Sequence, residues 1–132
     1  MKIGVLQQSQ RNRINFKQWV KQFYKQGTAK DFKIIRIFLP GQYDNFTLIM
    51  QDEENNFEVS RTVNKEVARQ FLKHFGFSVK TITKGILWLT IDEQGELHLT
   101  LEESEKFGYI YEKNSFVLRE LTQYQVEDDI PF

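Results

Sequence analysis

Between residues 32 and 121 short runs rich in apolar residues are each closed by a turn signal, and in the run at 96–101 the apolar residues fall at every second position. A period of two is the side-chain spacing of a strand half-buried on a sheet, so this stretch is restricted to a β-rich architecture. Leu97, Leu99 and Leu101 alternate with Glu96, His98 and Thr100. The run at 85–91 precedes them across Asp92-Glu93-Gln94-Gly95, and the two are expected to form a hairpin. Residues 107–111 and 116–121 form another across Lys113-Asn114. Upstream, residues 32–39 stop at Pro40-Gly41, residues 46–51 at an Asp52 to Asn56 turn, and Phe57–Val63 at Asn64. In that last run Phe57, Val59, Arg61 and Val63 share one face. Residues 3–7 read as a further short strand, and 8–13 as a polar loop.

Two stretches change to the helical period. Asn15 caps a helix expected to run to Gln26 and stop at Gly27, with Phe16, Trp19, Val20, Phe23 and Tyr24 as its docking face. Lys17, Lys21 and Lys25 lie on another face. Asn64 caps a second helix to Phe75, with Val67, Ala68, Phe71, Leu72 and Phe75 as its stripe and Gly76 as its stop. Three strands, a helix and two strands is the order of an OB-fold. The expectation is therefore a mainly β, OB-fold-like barrel with two helices. The alternative is an α+β curved antiparallel sheet with the helices on one face. Residues 1–121 make one domain, and 122–132 make a polar, then acidic, tail.

Function classes narrow by exclusion. Twelve Phe, five Tyr and two Trp are too many for a disordered chain. Without cysteine there is no disulfide framework and no thiol nucleophile. No run is apolar and long enough to span a membrane, and no signal-peptide core follows Lys2, so the expected setting is cytoplasmic. Phosphate-binding glycine loops, nucleophile elbows and His-Glu-x-x-His helices are missing, and His74 and His98 lack metal-ligand spacing. A non-enzymatic protein with no cofactor or metal is expected.

The zero net charge hides blocks. Residues 1–40 hold nine Lys/Arg and one acid, 41–60 five acids and no base, 61–84 six bases and one acid, and 85–132 three bases and eleven acids. A fold that gathers the basic blocks on one face attracts a polyanion despite the zero sum. Otherwise the blocks follow only from the order of strands and loops.

The chain stops at Glu127-Asp128-Asp129-Ile130-Pro131-Phe132. This resembles the C-terminal tip of bacterial single-stranded DNA-binding proteins, typically Asp-Asp-Asp-Ile-Pro-Phe. Glu127 stands where the first Asp would be, and five residues match. The resemblance covers six residues only. The family's N-terminal strand pattern and long Gly/Pro/Gln-rich linker are missing, which fits a divergent form from a phage or another mobile element. The resemblance implies that the tip recruits replication, recombination and repair proteins. Phe132 would fill an apolar pocket and set its carboxylate on a base, and Ile130 would fill a second, shallow site. Pro131 would preset the backbone, and Glu127, Asp128 and Asp129 would steer the tail towards basic rims.

A body that goes with such a tip needs cations for phosphates and rings for bases, which it would coat without regard to sequence. Candidates are Arg11 and Arg13 in the polar stretch, Lys33 and Arg36 in the first strand of the series, and Tyr43 and Phe46 around the following loop. Phe57 and Arg61 in the third strand, Lys65 and Arg69 in the helix after it, and Trp88 complete the set. Trp88, with apolar neighbours on both sides, fits a core position better than a platform. Self-assembly would extend such a surface. Rival readings are a partner-binding module or decoy that uses the tip without DNA, and a duplex-DNA or RNA binder.

Overall fold

A computed structural model describes residues 12–39 and 45–121. The expected strand at 3–7, Arg11, Tyr43 and the tail with Glu127, Asp128, Asp129, Ile130, Pro131 and Phe132 lie outside the described residues.

In chain order the elements are β1 (Asn12–Asn15), α1 (Phe16–Phe23), β2 (Lys30–Phe38), β3 (Phe46–Asp52), β4 (Phe57–Val63) and α2 (Lys65–Phe75). They continue as β5 (Thr83–Lys84), β6 (Ile86–Ile91), β7 (Leu97–Glu102), β8 (Phe107–Glu112) and β9 (Ser115–Glu120). The fold is mainly β: the described residues form nine strands in one mixed sheet and two helices, consistent with an OB-like order, but the sheet is not closed into the expected barrel. Turn chemistry sets its hairpins. Lys113 and Asn114 both take positive φ, 46° and 66°, so the β8–β9 link has the primed-turn twist that suits paired strands.

β2 is the hub. It pairs with β3 along one edge, and its other edge is shared between β6 at residues 30–33 and β9 at residues 36–38. The ladder to β3 slips between Ile34 and Arg36, leaving Ile35 as an extra residue. Phe32, Ile34 and Ile37 are consequently the buried positions, instead of a strict alternation. At the parting of β6 and β9 two backbone groups need partners. Tyr109 supplies both: the N–H of Leu87 donates to its hydroxyl at 2.9 Å, and the hydroxyl donates to the Ile34 carbonyl at 2.6 Å. Burial raises the pKa of this phenol. Gly108 lets β5 lie close to β8, since a Cβ there would sit 2.5 Å from the Thr83 carbonyl oxygen.

A closed five-stranded barrel of this order would pair β7 with β4. Here β1 takes that edge, running parallel to β4 from Asn12 opposite Phe57 to Asn15 opposite Ser60. Residues 12 and 13 are thus strand, not the expected loop, because the bare edge of β4 supplies backbone partners that no side-chain pattern announces. The helix that follows is fixed by the Asn15 capping box. It ends at Phe23 rather than Gln26, and Gly27 serves a later turn with φ 85°. Past the end, the Tyr24 ring lies 6.4 Å from that of Trp19. Trp19, only 2% exposed, meets Phe32 edge-on at 4.8 Å and donates its ring N–H to Asp52 at 2.6 Å. Asp52, 0% exposed, also accepts from Lys30 at 2.6 Å and from the Asn55 side chain at 2.7 Å. Burial pushes this carboxyl up, but the bonds from Lys30, Asn55 and Trp19 outweigh it and hold it below the ordinary value. The stripe on α1 is therefore a docking face. α2 starts at the Asn64 cap and stops at Gly76 in the left-handed region, as its sequence indicates.

Candidate nucleic-acid interface

The face of the sheet turned away from the core carries a groove of about 570 Å³. Ile35, Ile49, Phe38 and Val117 give it an apolar floor, and Arg13, Lys33, Arg36 and Arg119 line it with Glu58 and Glu120. The bulge in β2 creates this grouping. Lys33 and Arg36 are three apart and would point to opposite faces of a regular strand. The extra residue at Ile35 turns both to the same side. Along the sheet, register sets Arg13, Glu58, Gln51, Lys33, Trp88 and Thr100 opposite one another in turn, one from each of β1, β4, β3, β2, β6 and β7. That row crosses about 24 Å of surface at the usual strand spacing of about 4.8 Å.

Trp88 is the ring in this row. Its apolar neighbours Leu87 and Leu89 are buried on the other face, whereas Trp88 is only partly buried. Its ring N–H donates to Glu102 at 2.8 Å, and the Lys33 ammonium lies 5.8 Å from its centre. Trp88 is thus not a core residue.

The electrostatics are mixed. Arg13 donates two bonds to Glu58, at 3.1 and 2.7 Å, and Glu58 is only 8% exposed. Lys33 meets Glu53 at 3.2 Å. Arg119 forms a two-pronged pair with Glu112 at 3.0 and 2.9 Å, and this bond holds the Glu112 carboxyl below its ordinary value. Arg36 differs: among the described residues no carboxylate lies within ion-pair distance of it, and its guanidinium sits 5.4 Å from the Phe38 ring. The first basic block and the following acidic block therefore neutralise one another in part, because β3 lies beside β2 and β4 beside β1. They do not build a purely basic face.

Four candidates lie in this region: Arg13, Lys33, Arg36 and Trp88. Others do not. Phe46, 4% exposed, is core, since its face of β3 carries Leu48 and Met50. Its ring is closed to a base. Phe57 packs on Phe23 of α1 at 5.2 Å, so it docks that helix. Arg61, half-buried, lies 4.6 Å over the Phe16 ring, and burial lowers its pKa. Lys65 and Arg69 sit on α2 and do not line the groove. Sequence reasoning missed Ile35, Phe38, Ile49, Val117 and Arg119, which the bulge and the β2–β9 pairing bring together.

Among the described residues, Asp92, Glu96 and His98 form one cluster of metal-ligand types, their ligand atoms within 4.8 Å of one another. It is built as a turn brace. Asp92 accepts from the backbone N–H groups of Gln94 and Glu96, and one of its oxygens lies 2.6 Å from His98 Nε2. The His98 contact, above all, holds the Asp92 carboxyl below its ordinary value. No helix among the described residues is long and apolar enough to cross a membrane. No protein-family model, curated protein or solved structure matches the chain.

Proposed function

We propose that this is a non-enzymatic protein that binds single-stranded DNA across the outer face of β1–β4, β6 and β9, without sequence preference, and recruits replication, recombination or repair proteins through Glu127-Asp128-Asp129-Ile130-Pro131-Phe132. One observation carries the reading: Arg13, Lys33 and Arg36 line one apolar-floored groove, with the part-exposed Trp88 ring beside Lys33. Guanidinium and ammonium groups suit phosphates, and an indole face suits any base. In an OB-like order this is also the face on which oligonucleotides lie. The tip adds the recruiting role by its resemblance to the single-stranded DNA-binding family, whose divergent forms from phages and other mobile elements it fits. The protein acts in the cytoplasm, on DNA.

The test is fluorescence anisotropy of a labelled oligothymidine and a matched duplex at low and moderate salt. Binding to the single strand that weakens with salt, with the duplex far weaker, is expected. Equal binding to both overturns the proposal. A second reading is favoured by the carboxylates already paired with Arg13, Lys33 and Arg119. It is a partner-binding module that uses the tip alone, and no binding to either DNA would select it.

A further inference from the structure

We infer that two copies of this chain join edge to edge through β7, making one continuous sheet across a two-fold axis. Among the described residues the sheet ends at β1, β5 and β7. β1 has four residues and β5 two, and such short edges template little pairing. β7 has six, keeps perfect register with β6 over all of them, and contains no proline, lysine or bulge. Its charged residues, His98 and Glu102, are of opposite kinds and can meet across a two-fold axis. Leu97 on it is 37% exposed, and Leu99 lines an apolar cleft with Val63 and Val67.

Hydrogen-bond parity defines how a second copy fits. Asp92 donates its backbone N–H to the Glu96 carbonyl at 2.8 Å, so these two form a hydrogen-bonded pair. By alternation His98, Thr100 and Glu102 also turn their backbone groups to β6. Leu97, Leu99 and Leu101 turn theirs outward, to the open edge. An antiparallel second copy must therefore bond through these leucines. Centring the axis on Thr100 sets Leu99 against Leu101, His98 against Glu102 and Thr100 against Thr100. Apolar meets apolar, and a base meets an acid twice. Moving the axis to Leu99 sets Glu96 against Glu102, two like charges. Moving it to Leu101 sets the central Leu99 against Glu103 and loses both His98–Glu102 pairs, whereas the Thr100 axis sets only the end residue Leu97 against Glu103. The charge pattern therefore selects Thr100.

The second copy prolongs the row of Lys33, Trp88 and Thr100 into its own Thr100, Trp88 and Lys33. The two Trp88 rings then stand about 14 Å apart, three strand spacings, on one face. This part rests on the DNA-binding reading, and it makes one longer track for a strand out of two short ones. The pairing itself does not depend on that reading.

The test uses the full chain. Sedimentation over a concentration series is expected to show a species of twice the 15.8 kDa chain mass. Thr100→Lys is expected to return it to the monomer, because two lysines would face each other at a close non-hydrogen-bonded pair. The chain has no cysteine, so Thr100→Cys gives a clean cross-link. Its Cα atoms would be about 4.5 Å apart, within disulfide reach. Under mild oxidant it is expected to link to a dimer, while Thr62→Cys on the exposed surface of β4 stays single. A wild type that remains monomeric throughout, or a Thr100→Cys protein that links no better than Thr62→Cys, overturns the inference. A monomer that still binds oligothymidine would refute the pairing alone, and a dimer that binds none would refute the DNA reading alone.

Discussion

The sharpest test of the groove is how DNA affinity depends on salt in Arg36→Gln and Glu53→Gln. For single strands the slope of log K against log salt is about −0.7 per phosphate neutralised. Arg13, Lys33 and Arg119 already hold Glu58, Glu53 and Glu112, so a phosphate reaching them must displace a carboxylate. Arg36 has no such pair and contributes one full contact. Arg36→Gln should flatten the slope by about 0.7 and weaken binding roughly fivefold at about 0.1 M salt. Glu53 is largely exposed, and its removal frees Lys33 without emptying a buried site. Glu53→Gln should steepen the slope by about 0.7 and strengthen binding by roughly the same factor. The assay is anisotropy of labelled oligothymidine from about 50 to about 200 mM salt. Slopes equal to wild type in both variants would refute the passage of phosphates through this groove, whatever the overall affinity.

Trp88→Ala should cost about 1–3 kcal/mol of oligothymidine binding, and Trp88→Phe much less; equal affinities for all three proteins would remove Trp88 as a platform. Tyr109→Phe leaves the Leu87 N–H and Ile34 carbonyl without their partner and should lower unfolding stability by about 2–4 kcal/mol in urea titration. A loss below about 0.5 kcal/mol would show that the hydroxyl is not what joins the parted strands. Asp52→Asn leaves Lys30 with only its longer, exposed contact to Glu54 at 3.4 Å and should cost about 3 kcal/mol. Because the folded pKa of Asp52 lies below its unfolded value near about 4, its contribution is complete above that value and fades as pH falls through the folded one. Wild type should therefore lose stability faster than Asp52→Asn as the pH drops below about 4, and parallel curves would argue against the bonded carboxylate. Removal of residues 127–132 should abolish capture of partner proteins while DNA affinity stays equal or rises; lower affinity would contradict that division of roles.

The strands were legible because one wet and one dry face impose a period of two, and the turns because Lys113-Asn114 and Asp92 to Gly95 carry side chains suited to them. α2 was legible from its cap and its glycine stop. The bulge at Ile35 was not. Nothing local distinguishes Ile34-Ile35 from two ordinary strand residues, and the slip is set by the demand of β2 for three partners. The position of Trp88 fell to the same cause in reverse. Flanking leucines look like a core setting, yet residues one position away lie on the opposite face, and only the facing Lys33 and Thr100 are informative. Phe46 was misjudged because a ring at the mouth of a loop looks exposed until the strand's inner face is known.

The charge blocks show the same limit more generally. A block of one sign along the chain becomes a face only if its strands are neighbours. β2 carries part of the first basic block and has β3, from the acidic block, along its edge from Lys33 to Phe38, so Lys30 finds Asp52 and Lys33 finds Glu53. β1 carries Arg13 to Glu58 on β4 in the same way. Among the described cations that line the groove, Arg36, next to the bulge, is the one with no carboxylate within ion-pair distance. Arg36 pairs in register with Ile49 and Val117, two apolar residues, where a regular ladder would have shifted its neighbours by one. An extra residue in one strand thus brings Arg36 to the side of Lys33, above the apolar Ile49 and Val117, while its charge still reaches Glu112 without an ion pair. If a polyanion binds this protein, Arg36 is where the exchange of partners costs least, and the salt slopes of Arg36→Gln and Glu53→Gln must therefore move in opposite directions.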